Sequence, residues 1–314
     1  MKKTVLIFSL MLSAAISSNA QKADFPKLTG PYLGQKTPGM TLERFAENII
    51  TDNFYPHSKL TISPVGDKIY WETFIDTIGG GFALYYSNYD GKSLSEPIRD
   101  TVISKYGVYS FIFSSDGQTI YFGSQQPLPE YGDKKIYGVW FSKKANAGWS
   151  KPQPIKNTLD STWASVGSLS INNAGDIYFV GRYQDSSPKI YCSKFVNGNY
   201  QKTEPLPDII NSSATLDPFI DPQDKFLLFS ASARSDNLGI IDLYVSFKNK
   251  NGDWSNPVNL GEKINSKSGD RFPMITPDGN YLLFVTSHGN RFPSTYTHFH
   301  WTSSRILEEL RPKE

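Results

Sequence analysis

The sequence predicts an all-β protein, a β-propeller of four-stranded antiparallel blades, with five blades favoured over six. One phrase recurs five times: a polar start, a Pro/Asp/Gly turn, then a short aromatic-aliphatic run. The copies are SPVGDKIYW from Ser63, SSDGQTIYF from Ser114, NNAGDIYF from Asn172, DPQDKFLLF from Asp221 and TPDGNYLLF from Thr276. Their starts lie 51, 58, 49 and 55 residues apart, a period characteristic of propeller and solenoid repeats. Aromatic residues form 14% of the chain, with 24 glycines and 20 prolines, a composition suited to many short strands and tight turns.

The first segment stands outside the repeat. Lys2 and Lys3 precede an apolar run from Val5 to Ile16, and Ser18 and Ala20 occupy the −3 and −1 positions before Gln21. Residues 1–20 therefore read as a signal peptide, residues 21–40 as a lead-in, and residues 41–314 as one propeller domain. A periplasmic or secreted monomer without a transmembrane segment is expected.

The elements follow in order through the fourth unit, Leu216 to Asn265. LDPFIDP is a first strand, KFLLFSA a second and largely buried one, and IIDLYVSFK a third. DWSNPVNL supplies an edge strand at Pro257, where the missing ladder donor is tolerated. Third strands recur as ALYYS (Ala83–Ser87), YGVWFS (Tyr137–Ser142), KIYCS (Lys189–Ser193) and THFHW (Thr297–Trp301). Edge strands recur at Pro97, Pro152 and Pro205. Trp149, Tyr200 and Trp254, just before those prolines, read as apolar bodies packed between blades. Asp116-Gly117 and Asp278-Gly279 supply the acceptor and the positive φ of a hairpin turn. The fifth unit lacks an edge strand of its own, so Thr41–Ile50 is expected to complete it and close the ring.

These motifs resemble the WD40-like repeat family of bacterial exported propellers, the PD40 or TolB-like group, whose pattern is an S-P-D-G turn, a D-L-Y-V-S strand and W-S-x-P. DLYVSFKNKNGDWSNPVNLGEKIN followed by RFPMITPDGNYLLFVTS carries the likeness most fully. The resemblance implies an exported binding or scaffolding role.

Composition excludes several functions. The chain holds 32 basic and 30 acidic residues, and no basic footprint for nucleic acid is present. No G-x-S-x-G elbow, H-E-x-x-H or P-loop occurs. Cys192 is the single cysteine and reads as a small buried thiol. His298 and His300 alternate on one strand, but His300 takes the Tyr position of D-L-Y-V-S and reads as core. No metal or cofactor is expected.

Candidate contacts fall on the face opposite the S-P-D-G turns. There the loops between second and third strands meet those leading into each next inner strand. They carry His57, Tyr109, Trp163, Arg182, Asp217, Arg234, Arg271, His288 and Arg291. Arginine forks with aromatics suit a polar partner, either a glycan or peptide ligand or an envelope protein. The alternative is a glycan-active enzyme, a glycoside hydrolase or lyase, with Asp217 and Asp270 as channel-mouth carboxylates.

Overall fold

A computed structural model describes residues 31–47, 59–75, 81–90, 93–128, 132–146, 148–288 and 296–312. They form five antiparallel four-stranded sheets arranged as a five-bladed β-propeller. Blade 1 runs from its inner strand Thr61–Ile62 through Lys68–Ile75 and Gly81–Asn88 to Ile98–Arg99. Blade 2 comprises Tyr109–Phe113, Thr119–Pro127, Lys135–Ala145 and Gln153–Pro154. Blade 3 comprises Trp163–Ile171, Ile177–Tyr183, Lys189–Ser193 and Glu204–Pro205. Blade 4 comprises Ala214–Ile220, Phe226–Ser232, Asp242–Phe247 and Val258–Asn259. Blade 5 takes Gly269–Ile275, Tyr281–His288 and Tyr296–Ser303 from the C-terminal end.

The fourth strand of blade 5 is Glu43–Arg44, paired with Trp301 and His300. Within the expected stretch Thr41–Ile50, residues 48–50 lie outside the described residues. The N-terminal segment imitates a native edge strand. In blade 4 the buried Ser246 hydroxyl donates to the Ser255 carbonyl (2.8 Å), and in blade 5 Thr302 does the same to Gly39 (3.4 Å). The Phe45 amide donates to the Phe299 carbonyl at 2.8 Å.

The ladder of the fourth strand begins just after the repeat proline in blades 1, 2 and 4, at Ile98, Gln153 and Val258. The tryptophans upstream lie instead in a short hairpin on the end of the third strand. Trp149 pairs with Lys144, and Trp254 with Lys248. The recurrent W-S serine ties that hairpin to the third strand. The Ser150 and Ser255 hydroxyls accept from the amides of Lys143 and Phe247, each at 3.0 Å.

Apolar residues are buried between blades in separate layers rather than in one central core. Tyr70 and Leu84 of blade 1 pack with Phe111, Ile120 and Phe122 of blade 2, joined by Trp149. Tyr178 and Ile190 of blade 3 pack with Leu227 and Phe229 of blade 4, joined by Trp254. Phe45 and Trp301 seal blade 5 against Trp71 of blade 1. Cys192 is buried, and burial pushes its thiol up to about 12. The C-terminal turn Ile306–Glu309 drives Ile306 and Leu307 between blades 4 and 5.

The turns behave as local chemistry requires. Asp116 accepts from the Ser114 hydroxyl (2.6 Å) and the Gln118 amide (2.9 Å), and Gly117 takes φ 66°, a conformation glycine adopts without steric cost.

Candidate functional site

Each inner strand of blades 2 to 5 slips register partway along, between Tyr109/Phe111, Val166/Leu169, Leu216/Phe219 and Arg271/Met274. Such bulges bend a strand and re-aim its side chains. The residues at this level are Ser110, Ser168, Asp217 and Phe272, three of them with positive φ (50°, 51° and 55° at Ser110, Asp217 and Phe272). Lys59 holds the matching repeat position in blade 1.

These side chains are bonded from blade to blade. Lys59 donates to the Leu169 carbonyl, and the Leu169 amide donates to Ser110 Oγ at 3.0 Å. Asp217 is the acceptor for the far half of the ring. Ser168 reaches its Oδ1 at 2.8 Å and Ser230 its Oδ2 at 2.7 Å. Arg271 grips both oxygens, Nε at 2.8 Å and Nη2 at 3.0 Å. The Phe272 amide adds a longer contact at 3.4 Å. Burial would raise the Asp217 carboxyl, but the Arg271 charge and the hydrogen bonds outweigh it and hold the group below the usual carboxylate range.

Glu72, on the second strand of blade 1, completes this layer. It is only 4% exposed, and its Oε1 has no hydrogen-bond partner among the described residues. Burial pushes its carboxyl up to about 8, against the pull of Lys59 and of the Phe111 and Ser110 amides. Burial conversely brings Lys59 down to about 8, opposed by Asp217 and Glu72. Lys59 also lines a cavity of about 450 Å³ to which all five blades contribute, through residues such as Thr61, Phe113, Ser170, Phe219 and Met274. The cavity lies on the side of the S-P-D-G turns, the face opposite the candidate loops.

Neither Lys59 nor Glu72 follows from the repeat motifs. A signal was nonetheless present. Glu72 aligns with Gly123, Val180, Ser230 and Val285, and each of the five pairs with the second residue of its D-L-Y-V-S strand. A lone carboxylate among small and apolar equivalents marks a position where something other than packing is at work.

The candidate loop residues scatter. Trp163 is buried, its ring against Phe179 and Tyr191 at centroid distances of 5.2 and 5.6 Å. Arg182 is exposed at the end of its strand. Arg234 lies over the Tyr244 ring at 5.0 Å and donates to Ser212 Oγ at 3.0 Å. Arg271 and Asp217 are brought together, with the Arg271 side chain 25% exposed. Asp270 is fully buried. It accepts from the Ser266 amide at 2.6 Å and the Thr286 hydroxyl at 2.7 Å, and burial raises its carboxyl. The Thr286 oxygen also meets His300 Nδ1 at 3.1 Å, while the His300 ring stacks on Phe284 at 5.7 Å. His57 and Arg291, and the side chains of Tyr109 and His288, lie outside the described residues. Among the described residues no group of three or more His, Cys, Asp or Glu could hold a metal ion. No described helix is long and apolar enough to cross a membrane.

No family model matches the chain, and no curated protein matches it. Several solved structures are similar to it. The endo-arabinase from Bacteroides thetaiotaomicron VPI-5482 is 12% identical with a TM-score of 0.50, over 85% of this chain and 97% of that one. TolB from Acinetobacter baumannii is 14% identical with a TM-score of 0.48, over 78% of this chain. This chain spans about half the length of that TolB chain (51%). The β-propeller domain of the Trilobed protease from Pyrococcus furiosus is 10% identical with a TM-score of 0.39, over 82% of this chain and 73% of that one. At 12% identity the likeness to the endo-arabinase is one of fold alone, and folds of this kind host unrelated functions.

Proposed function

We propose that this chain is an exported, non-catalytic β-propeller that binds a polar ligand, a glycan or a peptide tail, at the axis of its ring. One observation carries this reading: the carboxylates that a hydrolase would need are already engaged by the protein. Asp217 receives Arg271, Ser168 and Ser230, close to the roughly four acceptor sites a carboxylate offers. Asp270 is buried under Ser266 and Thr286. Two groups remain at the axis: Lys59, which lines the central cavity with Glu72 as its buried counter-charge, and the exposed edge of the Arg271 guanidinium beyond its pair with Asp217.

Glycoside hydrolysis is a second reading, and one feature favours it. A carboxyl raised by burial at Glu72, in one ring with an ionised Asp217, is the kind of split that assigns acid and base roles. Both readings meet in one experiment. The purified protein is offered a glycan array and an envelope extract, and separately incubated with arabinan while reducing ends are followed. Saturable binding that weakens about tenfold or more in Glu72→Gln, without release of reducing ends, supports the binding module. Reducing ends whose release is abolished by Asp217→Asn would replace it with the hydrolase. Binding indifferent to Glu72→Gln removes the axial site.

A further inference from the structure

A second cleft lies at the outer strands between blades 2 and 3, and its volume is about 550 Å³. Tyr121 and Phe141 of blade 2 form one wall; Phe195 and Tyr200, from a hairpin after the third strand of blade 3, form the other. Lys143 and Lys156, both exposed, stand at its margin. The walls are fixed to one another across the blades. The Asn157 side-chain Nδ2 donates to the Tyr200 carbonyl at 2.6 Å. Thr203 in turn donates to the Asn157 carbonyl at 2.7 Å. The Phe195 ring rests on Gly175, where an added Cβ would come within 2.9 Å.

The molecule supplies its own comparison. The corresponding cleft between blades 1 and 2, beneath the Trp149 hairpin, is about 280 Å³ and places Asp67 and Asp116 beside its lysines. The blade 2–3 cleft has two lysines and no carboxylate among its lining residues. Its hairpin also departs from the repeat. Phe195 pairs with Tyr200 where blades 2 and 4 pair Lys144 with Trp149 and Lys248 with Trp254, and blade 1 pairs Tyr89 with Leu94. The departure leaves Phe195 37% and Val196 48% exposed. Large apolar groups beside ammonium groups that meet no carboxylate in the cleft lining point to a ligand that brings both an apolar face and negative charge.

We propose that this cleft binds an acidic oligosaccharide, with sugar rings laid against Phe195, Tyr200 and Phe141 and uronate carboxylates met by Lys143 and Lys156. The flat C–H faces of pyranose rings match half-exposed aromatic walls, and the ammonium groups supply charge-assisted hydrogen bonds to carboxylates. An acidic peptide would instead pair along the sheet edge, but the edge strand Gln153–Pro154 follows Pro152 and itself ends in proline, so ladder donors are few. The cleft volume lies within the range of ligand pockets. The site is separate from the axial one and stands or falls without it.

The test is calorimetric titration of the purified protein with trigalacturonate, its methyl ester and hexaglutamate. Trigalacturonate is expected to bind saturably, with affinity that falls as salt rises. That affinity should drop about tenfold or more in Lys143→Gln/Lys156→Gln and in Phe195→Ser, and the uncharged ester should bind at least about tenfold more weakly than the acid. Lys143, Lys156 and Phe195 are exposed, so melting temperatures should stay near that of the parent. Absence of trigalacturonate binding at millimolar concentration, equal affinity in the variants, or a preference for hexaglutamate would each overturn the proposal.

Discussion

Asp217 and Arg271 show how one buried contact changes the meaning of a residue. On a bare loop, an arginine fork would be a ligand contact; here it neutralises a carboxylate that is 3% exposed. Arg271→Ala should therefore destabilise by about 3–5 kcal/mol, because it leaves a buried charge unpaired. Adding Asp217→Asn should recover part of the loss, and urea unfolding of the single and double variants measures both. Glu72 makes the opposite case. Its folded carboxyl is raised from 4.5 to about 8, so between those pH values the folded state holds a proton that the unfolded state has released. Stability from this group is therefore lost as pH rises from about 4.5 to 8, by up to about 1.4 kcal/mol per pH unit. Lys59 works in the other window: its folded value lies below the unfolded one, so stability is regained as pH rises from about 8 to 10.5. In Glu72→Gln the decline between pH 5 and 8 should flatten. Chemical denaturation at several pH values checks this, and parallel slopes for variant and parent would refute the assignment.

At the scale of the element, the repeat is held together by side chains that answer backbone groups one blade-strand away. Asn265 accepts from the Leu243 amide at 2.8 Å and donates to its carbonyl at 3.0 Å. Asn211 repeats both contacts on Ile190, each at 2.9 Å. In blades 2 and 1 a hydroxyl takes over: Thr158 accepts from Val139 at 2.9 Å and Ser104 from Leu84 at 3.2 Å. Every target takes the Leu position of D-L-Y-V-S in its third strand. Asn265→Ala should cost about 1–3 kcal/mol by stranding the buried Leu243 amide, since the Leu243 carbonyl keeps the Leu260 amide at 3.0 Å, whereas Asn251→Ala, on an exposed turn, should stay within about 0.5 kcal/mol. Thermal or urea unfolding separates the two. This level was the most legible in the sequence, because the turn phrase recurs five times and the edge proline four times as local chemistry. The axial layer was less so. Lys59 and Glu72 occur once each, and only the closed ring brings blade 1 opposite Asp217 of blade 4. Trp163 looked like a loop aromatic because its strand begins earlier than the repeat phrase suggests, at Trp163 itself.

For the whole molecule, the decisive contact joins residues more than 250 positions apart. Blade 5 arrives with three strands and an exposed ladder, and an open edge invites pairing with another chain. The segment from Tyr32 to Phe45 covers that edge by several independent means. Glu43 and Arg44 extend the ladder, and Gly39 accepts from the Ser303 amide at 2.9 Å. The Tyr32 hydroxyl bonds Asp278 in the fifth S-P-D-G turn, and its ring meets Tyr281 at 4.9 Å. Phe45, 2% exposed, packs edge-on against Trp301 at 5.1 Å. Because blade 5 also packs on blade 1, losing the segment exposes two blade interfaces at once. Phe45→Ala should therefore cost about 3–5 kcal/mol, the range for a buried phenylalanine. Hydrogen exchange gives the sharper prediction. In that variant, amides of Tyr296–Ser303 should lose protection well before those of Lys189–Ser193 in blade 3, because local opening begins where the ring is joined. Equal loss in both strands would mean that blades open together and that the N-terminal segment is no weaker a join than any other.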